Sequence, residues 1–378
     1  MGAQRHGMFN DRATAGNGAG YMSGKKKILV ALSGGVDSAA AAALLARQGY
    51  AVAGVTMSLG IASADGRSAG DAQNVCAALG IEHRILDVSR QMADFVIQDF
   101  VAAYCRGGTP NPCVRCNRFL KFGALLEYAR AQGFAALATG HYARVVERHD
   151  GMRQLARPAD RRKDQTYFLW AVRQQDLPFV LFPLAEYTKA QSREIARAAR
   201  LPVAEKEQSQ DVCFIPDRDY KRFLREKCET FSAGDIVDVS GNVRGKHRGI
   251  IEYTVGQRSG LGIAAGAPLY VVALDAACNR VIVGGRADMR AAALTAVEVN
   301  CFQEQWPERL SAKIRYGQPP AACRAERLSA NRMRVIFVHP QEAVAPGQSV
   351  VLYDGDILVA GGMISAVECR GADGGAGG

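Results

Sequence analysis

The sequence predicts an α/β protein: an N-terminal parallel sheet flanked by helices, followed by a small central domain and a C-terminal β-barrel. Three observations predict it. From Lys25 to about Tyr142, short apolar runs alternate with helix-length segments. After Cys228 the texture changes to short β-rich runs broken by glycine turns, as in "DIVDVSGNVRG", "YVVALDAACNRVIVGG" and "SVVLYDGDILVAGGMI". The length of 378 residues allows two or three domains.

In chain order, Ile28–Leu32 reads as a buried strand and Ala39–Ala46 as a helix. Val52–Met57 is a second strand, Asp71–Leu79 a short helix, and Arg84–Val88 a third strand. Met92–Tyr104 and Asn117–Arg130 read as helices, and Ala135–Thr139 as a strand leading to Gly140-His141. Asp164–Val172, Thr188–Arg200 and Asp219–Lys227 read as helices. The expected units are a disordered extension at 1–24, a catalytic domain at 25–228, a central β-rich domain at 229–292, a C-terminal barrel at 293–370 and a flexible tail at 371–378, with a break near Ala291–Ala293.

Between the first strand and the first helix stands Ser33-Gly34-Gly35-Val36-Asp37-Ser38. Glycines admit positive φ and close backbone approach. A helix N-terminus offers unpaired N–H groups and a partial positive charge. Together they make a phosphate cradle, with Ser33 and Ser38 as hydroxyl donors and Asp37 as helix cap or Mg²⁺ ligand. No lysine follows the glycines, which separates the string from kinase-type loops. Ligands of parallel sheets sit at the carboxyl ends of strands, so this loop, Met57 and Gly140-His141 are expected to line one crevice.

A second constellation is "YCRGGTPNPCVRCNRFLKFG", Tyr104–Gly123. Arg106, Arg115, Arg118 and Lys121 stand there with no acid between Phe100 and Leu126. Cys113 and Cys116 form a CxxC before a helix, where cations and the helix N-terminus are expected to lower a thiol pKa. A structural zinc site would need a second ligand pair, and none is visible. A reactive thiol beside the ATP crevice fits the pattern best. Cys213 lies further on in "KEQSQDVCFIP".

Lysine plus arginine number 47 against 37 acids, a net charge of +10 that suits a polyanionic partner as well as a solvated face. No apolar run reaches membrane-span length. Ten cysteines without an export signal suggest a reducing, cytoplasmic setting, with most thiols serving as packing residues.

SGGVDS resembles the loop of the PP-loop ATP pyrophosphatases, in which ATP adenylates a substrate oxygen. With "TPNPCVRCNRFLKFG", "ATGHYAR", "KDQTYFLW", "SQDVCFI", "HRGIIEYTVGQRSGLGI" and "YDGDILVAGG" following in order, the chain from Lys25 to Cys369 resembles the tRNA-specific 2-thiouridylases. The resemblance implies a PP-loop, adenine nucleotide α-hydrolase-like sheet. It implies an ATP- and Mg²⁺-dependent transferase that adenylates O2 of the wobble uridine of tRNA for Lys, Glu or Gln and delivers sulfur from a cysteine persulfide. Cys116 would be the nucleophile and Cys213 the persulfide carrier, with a transient disulfide between them. Ala31, Leu32, Ser33, Gly34, Gly35, Val36, Asp37 and Ser38 would hold the phosphates, and Met57 and Gly140 the adenosine. Asn111, Pro112 and Cys113 would meet the flipped base. His141 would lie at the tRNA-facing rim, Lys163, Asp164 and Gln165 would form a phosphate-contacting loop, and Arg315, Tyr316 and Gln348 would touch the anticodon arm. The implied partners are tRNA and an upstream sulfur-relay donor, with neither membrane nor DNA.

The sequence departs from the family pattern at Cys113, where many members carry Asp, in the short segment after Met57, and at Met363, where Trp is usual. Cys113 makes a second mechanism conceivable, in which Cys113, Cys116 and Cys213 ligate a [4Fe–4S] cluster. The persulfide route needs only the two family cysteines and is the expectation here. An amidating synthetase of the same loop type, or a catalytically silent RNA-binding or redox protein, are the competing classes.

Overall fold

The computed structural model describes residues 25–207, 212–215, 217, 219–228, 232–263 and 266–369. The expected extension at 1–24, the tail at 371–378 and Ser209–Asp211 of the Cys213 motif lie outside them. In chain order the strands are β1 (Lys27–Ala31), β2 (Ala51–Ser58), β3 (Glu82–Asp87), β4 (Ala136–Ala138), β5 (Arg144–Glu147), β6 (Arg153–Ala156) and β7 (Val180–Leu181). Then follow β8 (Gly234–Asp238), β9 (Val243–His247), β10 (Tyr270–Asp275), β11 (Arg280–Gly284) and β12 (Arg290–Cys301). The last are β13 (Leu310–Lys313), β14 (Ala321–Ser329), β15 (Arg332–Glu342), β16 (Ser349–Asp354) and β17 (Ile357–Cys369). The helices are α1 (Val36–Arg47), α2 (Ala62–Leu79), α3 (Ser89–Met92), α4 (Gln98–Cys105), α5 (Pro112–Arg115), α6 (Leu125–Ala131), α7 (Lys189–Ala198) and α8 (Tyr220–Lys227).

The first sheet has the order β3-β2-β1-β4-β7 and its strands pair in parallel. Its central strand is apolar from Ile28 to Ala31, as a strand covered on both faces must be. Leu29 points into one core with Val55, Leu125 and Leu126, whereas Ile28 and Val30 point into the opposite one with Ala42, Leu45 and Cys76. The alanine run of α1 is fully buried, and its small side chains let the helix lie close to α7 and the sheet. α2 begins nine residues earlier than the sequence suggests, at Ala62, and ends on Gly80 in the left-handed conformation.

The central domain is a four-stranded sheet, β10-β11-β8-β9. It shares one core with the catalytic domain, in which Ile250, Tyr253 and Val271 meet Phe100 and Tyr104. The third unit is a barrel ordered β12-β15-β14-β13-β16-β17 and closed by β12 against β17. Leu294, Met333, Val335, Val350, Leu352 and Ile364 fill it. The β5–β6 hairpin joins its outside through Ile357 and Ala156.

Asp164–Val172 is not the expected helix: it holds one short 3₁₀ turn, Thr166–Phe168, preceded by another at Arg161–Lys163. Two causes act. The Asp164 carboxylate accepts from Thr166 N at 3.0 Å, offering the backbone a turn in place of a helix. The remaining polar groups are drawn to the barrel: Tyr167 Oη donates toward Ser349 O at 3.2 Å, Trp170 Nε1 to Ser349 Oγ at 2.9 Å, and Asn300 Nδ2 to the Trp170 and Val172 carbonyls at 2.6 and 2.8 Å. Gly361 lies so close under Trp170 that a Cβ there would stand 2.4 Å from the Trp170 Cβ. Among the described residues no helix is long and apolar enough to cross a membrane.

Trp170 therefore bolts the barrel to the first domain. Trp170→Ala is expected to lower unfolding stability by about 3–5 kcal/mol. Guanidinium unfolding checks this, and a midpoint equal to wild type would contradict the bolt.

Candidate active site

The loop after β1 is a wrapped helix entrance. Gly34 has φ +68°, and a Cβ there would stand 2.9 Å from Ser68 O, so glycine is demanded twice over. Ser38 Oγ donates to Gly35 O at 3.0 Å and accepts from Ser33 N at 3.3 Å, closing the turn from inside, while Ser33 stays exposed. Leu32 and Val36 are buried anchors on either side, with Ala31 half-buried at the end of β1. This cradle fits a phosphate group: α1 opens directly beneath it, with no side-chain cap occupying its first turn.

Gly140 follows β4 and is pressed on the same turn. A Cβ there would lie 2.6 Å from Ser38 N and 2.7 Å from Asp37 C. Met57, near the end of β2, is half-buried and packs against the core.

Two lysines far along the chain reach the cradle, and local sequence patterns did not reveal them. Lys189, the first residue of α7, pairs with Asp37 Oδ1 at 2.6 Å. Tyr142 Oη reaches the same oxygen at 2.8 Å. Lys206 Nζ donates to Gly34 O at 3.0 Å and pairs with Asp71. The Thr188–Gln191 capping box marks the start of α7 but not the direction of Lys189. Asp37, expected as a cap or Mg²⁺ ligand, is thus held by a cation and a phenol.

The thiols come next along the crevice. Asn111 precedes α5, Pro112 opens it, and Cys113 is exposed on its first turn. Cys116 is half-buried, and Cys213 is exposed on the turn before α8. The three are near enough to act on one another electrostatically. Cys213 is pushed up to about 12, first by burial and then by Cys116 and Cys113, against a lowering pull from Lys121. Burial also raises Cys113 and Cys116, and Lys121 again pulls the other way. Cys113 and Cys213 are exposed as residues, and what raises their thiols is the protein packed round the sulfurs.

The low thiol pKa expected from the basic segment is therefore reversed. Two of the four cations counted in sequence are spent elsewhere: Arg115 is paired with Asp99 at 3.0 Å and with Glu298, and Arg118 donates to Ala171 O at 2.7 Å. Among the described residues no group of three His, Cys, Asp or Glu side chains is arranged to hold a metal ion. The [4Fe–4S] alternative thus has no support among the described residues.

His141 is half-buried; its ring accepts at Nε2 from Lys121 Nζ at 3.3 Å and faces Thr139 Oγ1 through Nδ1 at 2.7 Å. Burial, then the Lys121 charge, holds its pKa well below the usual imidazole range.

The residues expected to contact the tRNA divide. Asp164 is buried and paired with Arg157 at 3.3 Å, and the Gln165 amide oxygen accepts from Tyr142 N at 2.9 Å; both side chains are turned inward. Arg315 Nη2 donates to Ala343 O at 2.8 Å and Val255 O at 3.3 Å, tying the barrel to the central domain. Gln348 donates to Thr109 O at 2.8 Å, clamping the loop that carries Cys113. Tyr316 is exposed, lies 4.6 Å from the Phe168 ring with Lys313 Nζ 5.3 Å from its own, and lines a cavity of about 490 Å³ with Arg157, Arg161 and Arg162. Lys163 ends the 3₁₀ turn beside that cavity.

A parallel-sheet domain with a phosphate cradle and a thiol cluster at one strand-end crevice defines an ATP-using enzyme of the PP-loop class. Three family models match in series: a tRNA methyl transferase HUP domain over residues 26–217, a tRNA methyl transferase PRC-barrel domain over 221–285 and an aminomethyltransferase β-barrel domain over 291–364. The tRNA-specific 2-thiouridylase MnmA 1 of Syntrophus aciditrophicus is 49% identical over 90% of this chain and 93% of its own. The MnmA of Pelobacter propionicus is 49% identical over 90% of this chain and 98% of its own. The chain belongs to the tRNA-specific 2-thiouridylase family and is an enzyme. Among solved structures, a U34-tRNA thiolase from Methanococcus maripaludis aligns with a TM-score of 0.35 at 17% identity over 54% of this chain and 73% of its own.

Two predictions follow from the geometry. Gly140→Ala forces backbone apart at the cradle and is expected to weaken ATP binding by roughly tenfold or more, a loss of about 1.4 kcal/mol or more; calorimetry with wild-type affinity would contradict the close approach. Because a raised pKa keeps the Cys213 thiol protonated at neutral pH, its alkylation by iodoacetamide in the free protein is expected to climb about tenfold per pH unit from pH 7 to 10. A plateau below pH 9 would contradict the burial.

Proposed function

We propose that the protein activates O2 of the wobble uridine of tRNA with ATP and replaces it with sulfur carried as a persulfide on Cys213. The observation that carries the reading is the link between the cradle and the thiol region through consecutive residues, Gly140 against the loop and His141 against Lys121, the lysine whose charge acts on all three thiols. An amidating synthetase or a silent binding protein has no use for such thiols beside a phosphate cradle.

In this reading the β and γ phosphates rest on the 33–38 loop, with Lys189 and Lys206 exchanging Asp37 and Asp71 for phosphate oxygens. Mg²⁺, when bound at Asp37, adds charge neutralisation for the departing pyrophosphate. Attack by uridine O2 on the α-phosphorus expels pyrophosphate and turns a poor leaving group into AMP. The terminal sulfur of the Cys213 persulfide then attacks C2; the C2–O bond breaks and AMP leaves with its electron pair. The Cys116 thiolate attacks Cys213 Sγ, the S–S bond to the transferred sulfur breaks, and that sulfur stays on C2 as 2-thiouridine. A Cys116–Cys213 disulfide remains, so each turnover consumes a persulfide donor and a dithiol reductant. Asn111, Pro112 and Cys113 would form the wall met by the extruded base. Tyr316, with the arginines of the adjoining cavity, would receive the anticodon arm. ATP, tRNA and reduced thiols place the activity in the cytoplasm.

The test is incubation with ATP, unmodified tRNA, a persulfide donor and a dithiol, followed by nucleoside mass spectrometry. 2-Thiouridine with stoichiometric AMP and pyrophosphate is expected, with product lost in both Cys213→Ser and Cys116→Ser. ATP cleavage without sulfur in the RNA would overturn the reading.

A further inference from the structure

Lys121 stands five residues after Cys116. In an α-helix that spacing would set the two side chains about 140° apart. Here Cys116–Ala124 is wound as a π-helix, and the capping bond from Leu125 N to Leu120 O keeps the same i→i+5 pattern. π-winding brings residues i and i+5 onto one face, and such segments are rare and concentrate at functional sites. The irregular helix thus carries Lys121 to the side on which Cys116 lies.

Its ammonium is fixed there. An ammonium only donates, so His141 Nε2 accepts from it at 3.3 Å, and the ring proton sits on Nδ1 facing Thr139 Oγ1 at 2.7 Å. The imidazole, its pKa held well below the usual range, is neutral, so it holds the lysine without cancelling its charge. The neighbouring charges do not compete: Arg115 is neutralised by Asp99 and Glu298, and Arg118 is turned to Ala171 O. Lys121 is the cation whose field reaches Cys113, Cys116 and Cys213 alike.

We propose that Lys121 is the electrostatic partner of the transferring sulfur, standing against the anionic sulfurs of Cys116 and of the Cys213 persulfide during attack at C2. It takes and gives no proton in the step; it offsets the cost of carrying a sulfur anion in a site whose burial opposes one. The inference rests on the thiouridylase reading and adds a residue to it.

The experiment separates adenylation from sulfur transfer in Lys121→Met and Lys121→Arg. tRNA-dependent ATP–pyrophosphate exchange reads the first, and single-turnover 2-thiouridine formation from persulfide-loaded enzyme reads the second. Lys121→Met is expected to keep exchange within about twofold and to slow thiolation by roughly 10- to 100-fold, the loss of one charge-assisted contact. Lys121→Arg is expected to recover most of the thiolation rate. Wild-type thiolation in Lys121→Met, or an equal loss of exchange and thiolation in both variants, would overturn the proposal. Absence of 2-thiouridine with wild-type enzyme would instead overturn the functional reading on which it rests.

Discussion

No side chain fits between Gly140 and the first turn of α1, and the site is organised around that approach. A Cβ at Gly140 would stand within 2.9 Å of three backbone atoms of Asp37 and Ser38. Two backbones in such contact fix the end of β4 relative to the phosphate cradle. The next two residues then have fixed tasks. His141 turns its ring toward Lys121 in the thiol region, and Tyr142 sends its hydroxyl to Asp37 at 2.8 Å and Ser192 at 2.9 Å, joining the cradle to α7. Three consecutive residues thereby connect the cradle, the thiol region and the helix carrying Lys189. Glycine is the residue this contact permits.

Charge in the crevice is largely paired before any substrate arrives. Lys189 rests on Asp37, Lys206 on Asp71, and Arg115 on Asp99 and Glu298. Half-buried cations held this way cost little to keep, and a phosphate needs only to displace a carboxylate rather than recruit a charge from solvent. The thiols lie at the other extreme. Burial raises all three, and one lysine opposes it. A protonated resting thiol resists oxidation and adventitious alkylation, and it gains reactivity when sulfur is loaded on it, because a persulfide is a stronger acid than a thiol. The site's electrostatics thus favour loaded over empty sulfur.

The parallel sheet was legible because its strands are buried on both faces and read as plain apolar runs, and because SGGVDS marks where the first one ends. Ser33–Ser38, Gly140 and the CxxC were legible for a related reason: their chemistry is local in sequence. Lys189 and Lys206 were not, since they meet the loop across 152 and 172 residues and stand in unremarkable helix and turn contexts. The thiol pKa was misjudged because counting cations says nothing of their partners; Arg115 finds one on β12, 183 residues away. Asp164–Val172 has the composition of a helix and fails to form one because its polar groups bond to the barrel. Asp164 and Gln165 carry family-motif positions, yet their side chains serve the interior. Sequence pattern identifies such positions without distinguishing a residue that touches substrate from one that shapes the wall behind it.

Gln348 carries this distinction furthest. It stands on the barrel, where an anticodon contact was expected, yet its amide is bonded to Thr109 O at 2.8 Å. Two residues earlier, Pro346 O accepts from Thr109 N at 2.8 Å, and between them Gly347 lies so close that a Cβ would stand 2.8 Å from that nitrogen. The barrel therefore holds the 109–112 loop from both sides of one peptide, and Pro110 and Pro112 stiffen what remains. A loop so held enters binding with its ordering entropy already lost in folding, which favours a fixed wall for an extruded base over one assembled around it. The same clamp makes the barrel and the cysteine-bearing loop one mechanical unit. The barrel residues proposed to receive the anticodon arm and the loop residues proposed to confront its target base are consequently set at a fixed distance, as an enzyme acting on one nucleotide of a long polyanion requires.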